Sequence, residues 1–195
     1  MNFWMKRIAK IAAVVFLIGL SGLIGLHAGG YLPWDKLKNF EEEQIISADQ
    51  ITAIDVYAAT ANINITPIDG NEFKIRVQGI GRTGIKRSGF TTTVVDGNTL
   101  KVVSEKKGTS LNIMVPRKIY GHILVKTQTG NIKGSDLQAA NLEISSNTGN
   151  VAVAHYSGDM LKVSVATGNI KLAQIASNLV INNERGNTTI SADAI

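Results

Sequence analysis

The feature that most constrains this chain is a Gly-Asn dipeptide that returns four times toward the carboxyl end at almost constant intervals. The copies are Gly130-Asn131, Gly149-Asn150, Gly168-Asn169 and Gly186-Asn187, and their glycines are 19, 19 and 18 residues apart. A fixed period of this length is typical of repeat proteins in which each unit stacks on the next. The sequence therefore predicts a stacked repeat architecture.

Aliphatic residues occupy fixed positions around each dipeptide. Seven residues before the glycines stand Ile123, Leu142, Leu161 and Leu179, and five before them stand Val125, Ile144, Val163 and Ile181. Alternation at period two predicts strands with one buried face, which two short strands cannot bury alone. We therefore predict an all-β fold, a single-stranded parallel β-helix (β-solenoid) with coils of about 19 residues and continuous interior ladders.

The Gly-Asn dipeptide itself suits a tight corner. Glycine readily adopts the positive φ that such a corner needs, and asparagine tolerates similar conformations. An asparagine amide can also hydrogen-bond to the asparagines above and below it in a stack. We therefore assign a structural turn role to all four dipeptides. The outer surface is predicted to carry the following polar residues: Thr127, Ser145, Ser146, Ser164, Lys133 and Lys171.

Alternation continues upstream without the clean period, so residues 45–120 are predicted to be further β structure continuous with the solenoid. The segment Ala61-Asn62-Ile63 looks like a degenerate copy of the repeat. Turns are predicted at Asp69-Gly70-Asn71 and Asp96-Gly97-Asn98, and a long loop is predicted at 79–89.

A long uncharged segment lies at the amino end. Residues 11–32 carry no formal charge, and about 20 apolar residues suffice to cross a bilayer. Lys6, Arg7 and Lys10 precede this segment, which predicts a cytoplasmic amino terminus and an extracytoplasmic carboxyl-terminal domain. A cleaved signal peptide is the alternative, but cleavage after Ala28 or Gly29 would place a large residue where a small one is needed.

These features divide the chain into four parts. We predict a cytoplasmic tip at 1–10, a single-pass transmembrane signal anchor at 11–32, an acidic juxtamembrane linker at 33–44 and an exported β-solenoid at 45–195, with the Gly-Asn repeats at 122–195.

Charge is distributed unevenly along the chain. The formal net charge is +5, yet residues 31–73 are acidic and residues 74–118 carry ten Lys and Arg against two acidic residues. The basic segment predicts contacts to anionic wall polymer or lipid headgroups through five residues: Arg82, Lys86, Arg87, Lys106 and Lys107. The alternative is that these charges solvate the outward faces of strands. Three of the positive charges belong to the cytoplasmic tip, so we expect no nucleic-acid partner.

The sequence lacks a recognisable catalytic or cofactor motif. Without cysteine there is no thiolate nucleophile, disulfide or Cys-ligated metal site, and the three histidines lack zinc-binding spacing. His155, Ser157 and Asp159 alternate along one strand side, where side chains run parallel and do not converge into a triad. The carboxylates Asp136, Glu143 and Asp159 lie in adjoining coils but in different repeat columns, which disfavours a glycosidase pair. We expect no enzymatic activity, no cofactor and no metal.

Taken together, the motifs resemble a known bacterial family. The basic-flanked anchor, the strand Leu111–Pro116, the segment Leu124–Ile132 and the further Thr-Gly-Asn units resemble the "putative adhesin" β-helix family that includes the LiaG-like membrane proteins. The resemblance implies an exported parallel β-helix at the surface of a Gram-positive cell, linked in some relatives to envelope-stress operons. It offers no catalytic residues to carry over.

We therefore expect a membrane-anchored extracytoplasmic β-solenoid with a non-catalytic binding or structural role at the cell envelope. Its expected partners are the cell membrane, anionic wall polymer or lipid headgroups, and other envelope proteins. One alternative is an accessory subunit of an envelope-stress or signalling system that acts through the membrane helix. A wall-polysaccharide-active enzyme is the third possibility.

Overall fold

The computed structural model of the protein describes residues 37–82, 91–105 and 107–192. Residues 39–80 and 86–195 form one compact unit, and the described part of that unit is the subject below. Of the other unit, residues 37, 38, 81 and 82 are described as backbone positions only. The predicted cytoplasmic tip and signal anchor lie outside the described residues. No helix in the described ranges is long and apolar enough to span a bilayer.

The described residues form twelve β-strands that pair into one continuous sheet. In chain order they are β1 Leu37–Ser47, β2 Ala53–Ile68, β3 Glu72–Arg82, β4 Thr92–Asp96, β5 Thr99–Ser104, β6 Thr109–Pro116, β7 Tyr120–Thr129, β8 Ile132–Ser135, β9 Ala139–Thr148, β10 Val151–Thr167, β11 Ile170–Arg185 and β12 Thr188–Ser191. The predicted all-β class is confirmed. β1 includes most of the segment predicted to be a juxtamembrane linker, and β3 extends into the predicted loop.

Successive repeats stack in parallel. β7 pairs with β9, β9 with the second half of β10, and that half with the second half of β11. Ile123 pairs with Leu142, and Leu142 pairs with Leu161. These three side chains are at most 1 % exposed, so the aliphatic column forms a buried ladder inside the solenoid.

The shorter third interval of the repeat arises on one side of the coil. Tyr156 pairs with Ile175, 19 residues further along, whereas Met160 pairs with Asn178, 18 residues further along. The register shifts between Ser157 and Met160. The missing residue therefore lies opposite the segment between Ser157 and Met160. The residue pairs before and after this segment stay aligned, so both aliphatic ladders keep their register.

A second corner recurs in three of the four repeats, six residues after the glycine. Asp136, His155 and Gln174 have φ angles of 55°, 52° and 53°. Positive φ is uncommon outside glycine, and its recurrence at equivalent positions in three coils marks a built-in bend. Each coil therefore has three sides: the first side precedes the Gly-Asn corner, the second follows it, and the third follows this bend.

Coils at the start of the solenoid are not stacked in chain order. β2 spans two sides of a coil, and its halves pair in parallel with β7 and β8 on one edge. On its other edge the same halves pair in parallel with β5 and β6. The coil of β5 and β6 is therefore the outer one, although it follows β2 in sequence.

Antiparallel strands close this outer end. β4 pairs antiparallel with β5, β3 pairs antiparallel with β6, and β1 lies beside β3. Arg76 of β3 reaches the carboxylates of Glu41 and Glu43 on β1 at 3.0 and 3.2 Å. At the opposite end, β12 has no outer neighbour among the described strands, and Val180 and Ile190 are 46 % and 56 % exposed.

A buried tyrosine anchors the third side of the middle coils. The Tyr156 hydroxyl lies 2.8 Å from the carbonyl oxygen of Ala139 and 2.9 Å from that of Met160. Burial, together with the nearby Asp159 carboxylate, raises the pKa of Tyr156 to about 12. A Cβ on Gly158 would lie 2.8 Å from the tyrosine ring and closer still to Ala139. Glycine at this position therefore makes room for the ring.

Candidate functional site

The first side of the coils presents a flat outer surface built from aligned rows. Strand residues alternate between the core and solvent, and parallel register brings the outward ones side by side at the ~4.8 Å strand spacing. The middle row consists of Val103, Tyr57, Lys126, Ser145, Ser164 and Asn182. The upper row occupies the outward register positions, where Leu124 alone is buried; it consists of Lys101, Asp55, Leu124, Glu143, Lys162 and Val180. We call these rows and the residues beside them the first-side face.

Charges on the first-side face neutralise one another. The Glu143 carboxylate lies between two ammonium groups, 3.5 Å from Lys126 and 3.7 Å from Lys162. Such solvated pairs add little to stability. Their effect is to hold long side chains along the surface and to leave the middle of the face without a strong net charge.

A shallow groove of about 330 Å³ crosses the first-side face toward its capped end. Its lining includes Tyr57, Ala59, Glu105, Gln128 and Asn147. The small side chain of Ala59 leaves a depression between longer neighbours. Tyr57 is 38 % exposed and is the one exposed aromatic residue among the described side chains. The groove therefore combines an aromatic ring with amide and carboxylate groups.

The Gly-Asn corners border this face and are structural. The glycines of the four dipeptides have φ between 137° and 150°. The backbone amide of each corner asparagine donates to Oδ1 of the asparagine one coil earlier, at 2.8–2.9 Å. The first acceptor in this ladder is Asn62, so Ala61-Asn62 occupies a repeat corner as its sequence indicates.

The asparagine ladder differs in one respect from the expected amide-to-amide stack. A side-chain amide donates to a side-chain oxygen between Asn150 and Asn131, at 3.2 Å. At the other steps of the ladder, the backbone N–H of one asparagine donates to the side-chain oxygen of the asparagine in the neighbouring coil. The corner N–H groups need acceptors because they lie between strands, and Oδ1 supplies one for each.

Two residues predicted to face outward are buried, so that prediction is wrong. Thr127 is 5 % exposed and Ser146 is 1 % exposed. Three positions before a glycine has the same parity as the aliphatic positions at five and seven, so both side chains face the interior. Their hydroxyls donate to the carbonyl oxygens of Thr129 and Gly130. The other four predicted surface residues are not buried: Ser145, Ser164, Lys133 and Lys171.

Most of the predicted contacts to anionic ligands lie outside the described side chains. Lys86, Arg87 and Lys106 fall outside the described residues, and Arg82 is described only as the last backbone position of β3. Lys107 is exposed in the turn between β5 and β6. The assignment of these five residues remains a prediction.

The remaining polar groups have ordinary surface partners. His155 Nδ1 lies 3.4 Å from an Asp136 carboxylate oxygen, and both side chains are about half exposed. Glu143 is paired with two lysines, so the carboxylates considered for glycoside hydrolysis have different partners. Within the described ranges no group of three or more His, Asp or Glu residues is placed to hold a metal ion.

These features define a class of protein: a β-solenoid that carries an extended, flat outer surface. The chain belongs to the Toastrack DUF4097 family, whose model matches residues 51–192. The predicted membership of a β-solenoid family is confirmed, and the likeness to LiaG-like proteins stays a prediction. No curated protein sequence matches the chain.

Several solved structures are similar to this chain. A "putative cell adhesion protein" from Clostridium sporogenes has a TM-score of 0.59 at 11 % identity, covering 80 % of this chain and 100 % of that one. A "putative adhesin" from Bacteroides fragilis has a TM-score of 0.38 at 13 % identity, covering 78 % and 97 %. A "putative lipid binding protein" from Parabacteroides distasonis has a TM-score of 0.28 at 13 % identity, covering 77 % and 97 %. The Clostridium protein shares the fold of this chain.

Proposed function

We propose that this protein is a LiaG-like, non-catalytic binding module of the bacterial cell envelope. Residues 11–32 anchor it in the membrane, with the amino terminus in the cytoplasm and the solenoid outside the cell. The observation that carries this proposal is the first-side face, which repeats similar outward positions over six coils. Flat, repeated surfaces suit extended polymers better than small metabolites.

The chemistry of the described surface also supports binding rather than catalysis. An extended polymer gains affinity from many weak contacts made at once, and a rigid array of rows provides them. The array is rigid because each coil is hydrogen-bonded to its neighbours and aliphatic ladders fill the interior. The Clostridium structure that shares this fold is named a "putative cell adhesion protein", which is consistent with this role.

Anionic wall polymer or lipid headgroups are the proposed ligands of the basic segment. Lys107 lies at the outer coil, in the turn between β5 and β6. We assign the same ligands to Arg82, Lys86, Arg87 and Lys106. A binding site of this kind should weaken as salt rises, since the Debye length falls from about 10 Å at 0.1 M to about 3 Å at 1 M.

The test reconstitutes the full chain into zwitterionic lipid vesicles, so that insertion of the anchor does not count as binding. Vesicle capture by isolated cell walls and by lipoteichoic acid is then measured across a salt series. We expect salt-sensitive capture by at least one of them. To test lipid headgroups, the protein-bearing vesicles are mixed with protein-free vesicles of either anionic or zwitterionic lipid. The aggregation of the two mixtures is then compared.

Matched variants separate the basic segment from general charge. The Arg82→Glu and Lys107→Glu double variant should lose capture, whereas Lys133→Glu with Lys171→Glu changes the charge equally on the second side and should retain it. If both double variants are captured equally well, the basic segment does not bind the anionic ligand. A folded protein that no envelope polymer or lipid captures would contradict the proposed function and favour protein partners reached through the membrane helix.

A further inference from the structure

We propose that the groove around Tyr57 is a glycan subsite that holds one pyranose ring of a polysaccharide chain against the tyrosine. This inference rests on the proposed function and names the class of its ligand. The polysaccharide would lie across the strands, along the axis of the solenoid.

The aromatic ring is placed to stack. Tyr57 lies in the middle row of the first-side face, and its register partners are Val103 and Lys126. Side chains stand roughly perpendicular to a sheet, so the ring is flanked by these two neighbours and reaches solvent. The negative face of an aromatic ring attracts the weakly positive C–H groups on the apolar face of a sugar.

Hydrogen-bonding groups lie beside the ring in the lining of the groove. Gln128 and Asn147 are exposed on adjacent strands, and each amide offers both donors and acceptors. Glu105 is exposed on the other side of Ala59 and offers two acceptor oxygens. Neighbouring hydroxyls of a pyranose need this mixture of donors and acceptors.

The dimensions of the groove match an extended glycan. Its lining comes from four adjacent strands, β5, β2, β7 and β9, which span about 14 Å at three inter-strand spacings. A linked pyranose chain advances by a distance close to one strand spacing per ring. Successive rings can therefore meet equivalent positions on successive strands, with Ala59 leaving room for the ring on Tyr57.

Other polymers fit this groove less well. A peptide usually gains affinity by adding a strand to a sheet edge, but β2, β7 and β9 are each paired on both sides, so their backbones are not free. The groove lining holds the Lys126 ammonium group and the Glu105 carboxylate, so it offers no net positive charge to a polyanion. A neutral polysaccharide encounters neither obstacle.

The experiment uses the full chain in a detergent without a sugar headgroup, with chitohexaose and cellohexaose as probes. Calorimetry or ligand-observed NMR gives the affinity for each sugar. We expect the Tyr57→Ala variant to bind about tenfold more weakly, equivalent to a stacking contribution of about 1.4 kcal/mol. The Tyr57→Phe variant keeps the ring and should bind like the unaltered protein. Lys133→Ala, on the second side, is the matched surface control.

The outcomes separate this inference from the proposed function. If the unaltered chain binds neither sugar, or if Tyr57→Ala binds as well as Tyr57→Phe, the glycan subsite is overturned. Cell walls would then still capture the unaltered protein if the proposed function holds. If the sugars bind through Tyr57 but no envelope polymer or lipid captures the chain, the subsite stands and the envelope role fails. Far-UV circular dichroism of each variant shows that the fold is retained.

Discussion

Replacement of Gly149 by alanine tests how the coils stack at the Gly-Asn corner. Gly149 has φ 146°, a conformation that side chains with a Cβ rarely adopt. A Cβ at this position would lie 2.6 Å from the carbonyl carbon of Gly130 and closer still to its oxygen. The substitution therefore strains the backbone and also pushes two successive coils apart.

The two effects can be sized separately. Backbone strain of this kind costs about 1–3 kcal/mol. Overpacking against a neighbour that must shift adds about 1–3 kcal/mol. Gly70 provides the matched control, because it has φ 117° and no heavy atom within contact distance of a built Cβ. Gly70→Ala should therefore cost the strain alone, and Gly149→Ala should cost about 2–6 kcal/mol in all.

Urea unfolding followed by far-UV circular dichroism measures the difference. With a slope of about 2 kcal/mol per molar urea, the Gly149→Ala midpoint should fall by about 1–3 M, and by clearly more than that of Gly70→Ala. If the two variants unfold at the same midpoint, the close approach of successive corners is not a constraint on this fold, and our reasoning about the repeat is wrong.

Three further predictions concern the third side and the open end of the solenoid. Gly158→Ala should lower the free energy of unfolding by about 2–4 kcal/mol, because its Cβ would overlap Ala139 and the Tyr156 ring; a midpoint like that of the unaltered protein would contradict this. The free energy of unfolding should fall as pH rises from about 10 to 12, because tyrosine ionises near 10 in the unfolded chain while burial raises the pKa of Tyr156 to about 12 in the folded one. The stabilisation from this group is complete below about pH 10. A Tyr156→Phe variant should therefore lose less stability over this interval. A pH titration of the unfolding midpoint checks the slope, and equal slopes for the two proteins would refute the assignment. Hydrogen exchange should be faster in β12 than in β9, because β12 has no outer neighbour among the described strands; equal protection would show that the end is covered.

The repeating part of the fold could be predicted because its determinants are local and periodic. Each coil repeats the Gly-Asn corner and its flanking aliphatic positions, so interior ladders and stacking follow from one alignment. A polar residue within this pattern can still be assigned to the wrong face of its strand. Thr127 and Ser146 are polar, yet they occupy interior positions because their hydroxyls find backbone acceptors.

The non-repeating part depends on contacts that no period reveals. β2 lies between β5 and β7, although β5 follows β2 in sequence only after β3 and β4. Nothing in the alternation of β2 specifies two parallel partners. The second corner is also hidden, because Asp136, His155 and Gln174 share a positive φ but no residue type. The groove around Tyr57 requires both the β2 register and the small Ala59, so only the assembled coils show it.

Labelling of single cysteines in intact cells tests most directly the central claim that the solenoid lies outside the membrane. The chain has no cysteine, so each introduced thiol reports on its own position. A membrane-impermeant maleimide should label Lys133→Cys in intact cells, because this side chain is exposed on the solenoid, and should label Asn2→Cys only after the membrane is opened. Labelling of Lys133→Cys only in opened cells would place the solenoid inside and contradict the proposed envelope function.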